Sequence, residues 1–141
     1  MGLTLTSNEE ASHRPVVLLV EDETFVRMAT ADSLEDAGFE VIETANAVAA
    51  QRAFDQRPDI EVLFTDVRMP GPIDGLDLAR LVCSRWPDVI IVITSGHIRP
   101  GSAELPERAV FIEKPYREHT PCEVIRSLLE TRRAAAEVVR T

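Results

Sequence analysis

The 141-residue chain is poor in positive charge and in cysteine. Lys and Arg number 15 against 24 Asp and Glu, which gives a formal net charge of −9. This deficit argues against nucleic-acid binding, because that function requires a basic surface to displace counterions. The two cysteines, Cys83 and Cys122, show neither a metal-ligand spacing nor a disulfide framework. We therefore predict that each packs as a small apolar side chain.

Long apolar runs are also missing from the chain. No run approaches the roughly 18 residues of a membrane span, and the first residues lack the basic and apolar pattern of a signal peptide. The sequence therefore predicts a cytoplasmic protein without a membrane partner. Residues 1–15 are polar and aperiodic, so we expect a flexible N-terminal arm before one domain over residues 16–135. Residues 136–141 are expected to form a helix end or a tail.

Short apolar runs alternate with segments of helical spacing along the whole domain. Strands are predicted at 16–20, 39–44, 60–65, 89–93 and 109–112, and helices at 24–37, 46–56, 76–86 and from 121 into the 130s. The strands are too continuously apolar to expose one face, which indicates a parallel sheet between two layers of helices. The fold class is therefore α/β.

Two local features of this alternation carry further expectations. In the first helix, Phe25, Met28, Ala29 and Leu34 lie at roughly helical spacing, which supports the helix itself. Residues 96–108 hold two glycines and two prolines where alternation requires a fourth helix. We expect that helix to be short or absent.

Polar side chains follow the predicted strands at their carboxyl ends. They are Glu21 and Asp22 after the first strand, Asp66 after the third, Thr94 and Ser95 after the fourth, and Lys114 after the fifth. Because the carboxyl ends of parallel strands meet at one edge of a sheet, we expect these groups to lie close together.

This set of side chains suits phosphoryl chemistry. Three clustered carboxylates repel one another unless a cation joins them, and oxygen ligands without His or Cys favour Mg²⁺. A phosphoryl group bound there would meet metal, ammonium and hydroxyl together. A carboxylate can itself be the nucleophile, forming an acyl phosphate, and Asp66 is the best-placed candidate.

The motifs VLLVEDE, TDVRMP followed by DG, IVITSG and FIEKPY together resemble the receiver domain of two-component response regulators. The resemblance covers about residues 15–135. It implies a flavodoxin-like, doubly wound five-stranded sheet of order 2-1-3-4-5. It also implies phosphorylation of one aspartate by a histidine kinase or a histidine phosphotransfer protein.

The resemblance assigns a role to each acidic position. Asp66 corresponds to the phosphoacceptor, which also contacts the metal, and Asp22 to the direct Mg²⁺ ligand. Glu21 corresponds to the outer-sphere acidic partner, although Asp is more usual there. The backbone carbonyl of Arg68 would complete the protein's share of the metal ligands.

The resemblance also identifies the residues that would read the phosphoryl group. Thr94 corresponds to the hydroxyl that contacts it and Lys114 to the lysine that pairs with it. Phe111 falls at the switch position, where an aromatic side chain turns into the space that Thr94 vacates. The Lys114–Pro115 bond is expected to be cis, and Tyr116 is a second aromatic candidate for a signalling surface.

The sequence thus predicts a stand-alone receiver that acts by changing a protein-binding surface for a downstream target. It is not predicted to be an enzyme beyond catalysing its own phosphoryl transfer and autodephosphorylation. Two alternatives stay open: a magnesium-dependent phosphohydrolase with Asp66 as nucleophile, and a receiver-like interaction module that is never phosphorylated. The chain as a piece of a longer regulator, and its association as a homodimer, also stay open.

Overall fold

The computed structural model describes residues 13–96 and 105–140, with side chains up to residue 136. Five strands form the sheet: β1 Val16–Val20, β2 Glu40–Thr44, β3 Ile60–Asp66, β4 Ile90–Ser95 and β5 Val110–Glu113. The helices of this part are α1 Thr24–Asp36, α2 Ala47–Gln56, α3 Gly75–Arg85 and α4 Thr120–Arg140. None of them is long and apolar enough to cross a membrane.

The sheet is parallel throughout and has the order β2-β1-β3-β4-β5, as the resemblance implied. Strand β2 is an edge strand whose residues are exposed or half-buried, whereas every residue of β1 is buried. A strand between two neighbours and two helical layers must be apolar on both faces, and this explains the continuous run at residues 16–20.

Two apolar clusters cover the two faces of the sheet. On one face, here called the α2–α3 face, Phe54 and Val82 pack against strand residues such as Leu63. On the other, the α1–α4 face, Leu34 and Ile125 pack against the remaining strand side chains. Successive strand residues point to opposite faces, so each strand contributes to both clusters.

The helix predicted at residues 24–37 is present, but of its four apolar residues at helical spacing only Leu34 is buried. Phe25 is 82% exposed and Met28 53% exposed, whereas Ala31 and Leu34 are buried. The face that meets the sheet begins with Arg27, whose guanidinium donates to the Glu21 carbonyl oxygen at 2.8 Å. A polar contact thus sets the rotation of α1, and apolar spacing alone could not reveal it.

Local signals account for the ends of the helices. Asn46 caps α2 by accepting from the Ala49 N–H at 2.8 Å, as its position predicted. Gly38 follows α1 with φ +100°, a conformation that glycine adopts without steric cost. Asp74 and Asp77 form a capping box at the start of α3, a feature that the sequence reading missed.

The connection between β4 and β5 is described only at its two ends. The prediction of a short or absent helix there falls on residues 97–104, outside the described residues. At the far end, the Arg108 guanidinium donates to the carbonyl oxygens of Cys83, Trp86 and Val89 at 2.8–3.0 Å. These bonds satisfy carbonyls in the last turn of α3 and in the connection beyond it, and they attach the residues before β5 to that helix.

The two cysteines are both free thiols. Cys122 is buried in the α1–α4 face, as predicted for a small apolar side chain. Cys83 is half-buried, and its sulfur lies 2.9 Å from the Arg108 guanidinium. Its surroundings are therefore more polar than the sequence indicated.

Candidate functional site

A crevice of about 840 Å³ opens at the carboxyl edge of the sheet. The predicted site residues that line it are Glu21, Asp22, Asp66, Arg68, Ser95 and Lys114. Strands β1, β3, β4 and β5 end around it, so the topology brings together groups that are far apart in sequence.

A groove of similar volume, about 830 Å³, lies at the opposite edge of the sheet beside Trp86. Its lining includes Arg57 and Arg132, whose guanidinium groups are paired with Glu40, Asp59 and Glu61 at 2.8 Å. Because these charges are already satisfied, we take the carboxyl edge, where the predicted residues converge, as the candidate functional site.

Lys114 joins two of the carboxylates. Its Nζ lies 3.1 Å from Asp66 Oδ2 and 3.6 Å from Glu21 Oε1. Burial by itself would lower the pKa of Lys114, but the Asp66 carboxylate and, more weakly, Glu21 raise it, and these influences together hold the pKa above its ordinary value. The ammonium therefore stays charged at neutral pH and offsets part of the negative charge of the crevice.

Glu21 lies deeper than the other acidic groups and is buried. Burial raises the pKa of its carboxyl, and a hydrogen bond from the Glu23 N–H at 3.1 Å opposes the rise. Lys114 also opposes it, whereas the Asp66 and Asp22 carboxylates add to it. The ionised form of Glu21 is therefore disfavoured by its surroundings, and a cation in the crevice would stabilise it.

The raised pKa of Glu21 makes a prediction about stability. An acid whose pKa rises on folding binds more protons in the native state than in the unfolded state between the two values. Its contribution to stability therefore falls as pH rises through that window, which begins near the ordinary glutamate pKa of 4.5. We expect the free energy of unfolding of Glu21→Gln, relative to wild type, to increase between pH 4.5 and 7.

Urea unfolding of both proteins across this pH range measures the effect. Glu35→Gln, a change at an exposed position of α1, is the matched control and should track wild type. A Glu21→Gln curve that also runs parallel to wild type would contradict the raised pKa.

Thr94 lies beside Asp66 at the end of β4, and the two are register partners across the sheet. Its Oγ1 is a buried atom with no hydrogen-bond partner in the part of the chain that the structure describes. An unsatisfied buried hydroxyl costs about 1–3 kcal/mol. A hydrogen-bond acceptor attached to Asp66 would therefore find an available donor in the Thr94 hydroxyl.

The backbone around Asp66 is held tightly. The Val67 N–H donates to the Thr94 carbonyl oxygen at 3.0 Å, and the Gly75 N–H donates to the Val67 carbonyl oxygen at 2.8 Å. A Cβ at Gly75 would overlap the Asp66 carbonyl oxygen and lie 2.8 Å from its carbonyl carbon. The sequence reading missed this contact, although a glycine directly after a helix-capping aspartate was its signal.

Two aromatic side chains lie near the site, on different faces of the sheet. Phe111, the predicted switch residue, is half-buried against the α2–α3 face. Tyr116 packs against the α1–α4 face, and burial raises the pKa of its phenol. The Lys114–Pro115 peptide bond between them is cis, as expected.

The donor set fits a hydrated cation better than a closed metal cage. Within residues 13–96 and 105–136, no three acidic, histidine or cysteine side chains are gathered into a preassembled metal site. The oxygen groups of Asp22, Asp66 and Arg68 instead line an open crevice. Mg²⁺ commonly binds in this way, through one or two carboxylates, several waters and a substrate phosphate.

Comparison with known proteins identifies the class. A family model described as the response regulator receiver domain matches residues 17–126. A putative response regulator NtrX-like protein of Rickettsia felis is 32% identical over 107 residues, which are 71% of this chain and 22% of that protein. The C4-dicarboxylate transport transcriptional regulatory protein DctD of Rhizobium meliloti is 31% identical over 132 residues. The match covers 89% of this chain and 28% of the length of DctD.

Solved structures agree with this match. A response regulator receiver protein from Sinorhizobium medicae WSM419 superposes with a TM-score of 0.80 and 26% identity, covering 85% of this chain and 98% of that one. NtrX from Brucella abortus also superposes with a TM-score of 0.80 and is 30% identical. The superposition covers 91% of this chain and 29% of the NtrX chain. The chain belongs to the response regulator receiver domain family of two-component systems. It spans only 22–28% of the two curated relatives named above.

Proposed function

We propose that the chain is a phosphorylation switch in which Asp66 accepts a phosphoryl group from a histidine kinase or a histidine phosphotransfer protein. The observation that supports this most directly is the pairing of Asp66 with a charged Lys114 beside the partnerless hydroxyl of Thr94. A bond from an Asp66 carboxylate oxygen to phosphorus would form as the bond from phosphorus to the donor breaks. Lys114 and Thr94 would then contact the new phosphoryl oxygens.

Asp22, Asp66 and the Arg68 backbone carbonyl are the groups that would hold Mg²⁺, with Glu21 behind them. When bound, the ion supplies positive charge to the phosphoryl oxygens and neutralises the acidic crevice. Glu21 is held in place by the Glu23 N–H and lies 3.6 Å from the Lys114 ammonium. It would thereby keep Lys114 between the two carboxylates until the phosphoryl group arrives.

The same crevice gives less support to a phosphohydrolase. A hydrolase with an aspartate nucleophile needs an acidic group close behind it to protonate the leaving group. Arg68 occupies the corresponding position here and is exposed. A module that is never phosphorylated would have no use for a buried hydroxyl without a partner, since that hydroxyl costs stability.

Uptake of a phosphoryl group tests the proposed function. Purified protein incubated with acetyl phosphate and Mg²⁺ should gain the mass of one phosphoryl group. Omitting Mg²⁺ and adding a chelator should abolish the gain. Intact-mass spectrometry measures both results. If the mass stays unchanged with this donor and with a panel of histidine kinases, the switch is overturned in favour of the unphosphorylated module.

We also propose that the partner that supplies the phosphoryl group contacts Phe25 and Met28. Both side chains are exposed on α1, which begins at Thr24, directly after the crevice residues Glu21 and Asp22. Large exposed apolar side chains beside a reactive site commonly mark a protein-binding surface. Brucella abortus sensor kinase CckA contains a stretch 31% identical to this chain over 125 residues, which fits a partnership with a kinase.

Phe25→Ser tests this contact. A central apolar contact is typically worth about 1–2 kcal/mol, so transfer from a histidine kinase that phosphorylates the wild type should fall by roughly 5- to 30-fold. Uptake from acetyl phosphate should not change, because a small donor makes no contact with α1. Radiolabelled transfer assays measure the first rate and intact mass the second.

Val48→Ser is the matched control, because Val48 is an exposed apolar residue on α2. It should leave both rates unchanged. An equal fall for both donors in Phe25→Ser would indicate damage to the site. No fall for either donor would contradict the docking surface.

A further inference from the structure

The end of strand β1, which supplies Glu21 and Asp22 to the crevice, is held from two sides. The Glu21 N–H donates to the Thr44 carbonyl oxygen of β2 at 3.0 Å. The Glu21 carbonyl oxygen accepts from Arg27 Nη1 at 2.8 Å. Because a peptide group is planar, a bond to this carbonyl oxygen also restricts the amide nitrogen and Cα of Asp22. The direction in which Asp22 presents its carboxylate therefore depends in part on Arg27.

Arg27 lies at the first turn of α1, and its side chain reaches back past the start of that helix. Helical side chains are tilted toward the N-terminus, which brings the guanidinium close to the end of β1. The Arg27 N–H donates to the Glu23 carbonyl oxygen at 2.9 Å, so the same residue closes the first hydrogen-bonded turn. Within the described part of the chain, the Glu23 side chain makes no capping bond. Arg27 thus ties the start of α1 to the end of β1.

A third element holds the guanidinium of Arg27 in place. Its Nε lies 3.6 Å from Glu43 Oε1 on the edge strand β2. The Arg27 side chain is only 19% exposed, so water competes less for its contacts than it would at the surface. A guanidinium carries a rigid, planar fork of donors, which suits simultaneous contact with a carbonyl oxygen and a carboxylate. One side chain therefore joins α1, β1 and β2 directly behind the crevice.

We propose that Arg27 is a positioning residue for divalent-cation binding, because it fixes the Glu21–Asp22 peptide from which the Asp22 carboxylate would reach the ion together with Asp66. This inference rests on the proposed function, since it concerns the cation site named there. Arg27 lies outside the lining of the crevice, so it acts through the strand end and not by contact with the ion. Groups that orient metal ligands typically change metal affinity by about 10- to 100-fold when they are removed.

Arg27→Met removes the guanidinium and keeps much of the apolar stem of the side chain. The variant should bind Mn²⁺ roughly 10-fold more weakly than wild type, because the peptide before Asp22 loses its fixed orientation. Mn²⁺ takes the same kinds of oxygen ligand as Mg²⁺, and EPR spectroscopy measures the free ion during titration of the unphosphorylated protein. Charge alone predicts the opposite result, since removing a positive charge beside an acidic crevice favours a cation. The sign of the change therefore separates positioning from electrostatics.

The Mg²⁺ dependence of phosphorylation gives a second readout. With acetyl phosphate as donor, the Mg²⁺ concentration for half the maximal rate should rise about 10-fold in Arg27→Met. The rate at saturating Mg²⁺ should stay near that of wild type, because Asp66 and Lys114 keep their own contact. Arg52→Met is the matched control, since it removes a positive charge from an exposed position of α2. It should match wild type in both readouts, and circular dichroism confirms that both variants are folded.

The outcomes separate this inference from the proposed function. Wild-type protein that binds no Mn²⁺ overturns the cation site of the proposed function and the role of Arg27 with it. Where the wild type binds, equal or tighter binding by Arg27→Met overturns the role of Arg27 alone. So does a lower saturating rate with an unchanged Mg²⁺ dependence, or an equal loss in Arg52→Met. If Arg27→Met does not fold, Arg27→Gln replaces it, because the shorter amide cannot span the distance to the Glu21 carbonyl, and wild-type affinity in that variant contradicts the proposal.

Discussion

Asp66→Asn is expected to take up no phosphoryl group from acetyl phosphate in the presence of Mg²⁺. An amide oxygen carries no negative charge, so it is a poor nucleophile and a weak ligand for a cation. The variant keeps the volume of the side chain and should stay folded. Its loss of charge also removes the largest upward influence on the pKa of Lys114.

The measurement is intact mass after incubation with the donor, with circular dichroism to confirm folding. Asp74→Asn is the matched control, because Asp74 also lines the crevice and caps α3 with its side chain. Asparagine caps helices about as well as aspartate, so this variant should be phosphorylated like wild type. A phosphoryl group on Asp66→Asn, or its loss in Asp74→Asn alone, would contradict the assignment of Asp66.

Gly75→Ala is expected to lower both the stability of the protein and its rate of phosphorylation. A methyl group at this position would overlap the Asp66 carbonyl oxygen and lie 3.0 Å from Val67 Cα. Both neighbours are backbone atoms in hydrogen-bonded structure, so they cannot move aside as a flexible side chain would. We expect a loss of about 3 kcal/mol in the free energy of unfolding, at the upper end for overpacked sites.

The displacement would also reach the reactive group. Moving the Asp66 backbone by about 1 Å shifts its carboxylate relative to Lys114, and such misplacement can cost on the order of 100-fold in rate. Urea unfolding measures the stability, and time-resolved intact mass measures uptake from acetyl phosphate.

Gly71→Ala separates this steric effect from backbone strain. Gly71 has φ +110°, and a Cβ there would meet no heavy atom within 4 Å. The change should therefore cost only about 1–2 kcal/mol of conformational strain and leave the rate of phosphorylation near that of wild type. Equal behaviour of the two alanine variants in both measurements would contradict the role of Gly75.

Much of this arrangement was predictable from local sequence. The run at residues 16–20 had to be a strand covered on both faces, and Asn46 had to cap a helix, because each follows from the chemistry of a few neighbouring residues. The grouping of Asp66 with Lys114 was also predictable, since parallel strands deliver their carboxyl ends to one edge.

The rotation of α1 was not predictable in the same way. Phe25 and Met28 have the spacing of a buried face, yet both are exposed, because Arg27 turns toward the Glu21 carbonyl and Leu34 supplies the apolar contact. A weakly amphipathic helix can pack in more than one rotation about its axis. The rotation adopted depends on contacts with the neighbouring strand, and the sequence of the helix does not contain that information.

The sequence by itself determined the parallel α/β fold and the ring of polar groups at its carboxyl edge, because alternation and strand-end chemistry are local properties. Only the tertiary structure decided which groups meet. It placed Phe111 on one face of the sheet and Tyr116 on the other, and it brought Gly75 against the Asp66 backbone. Those relations depend on register and on the faces of distant elements, which no short stretch of sequence encodes.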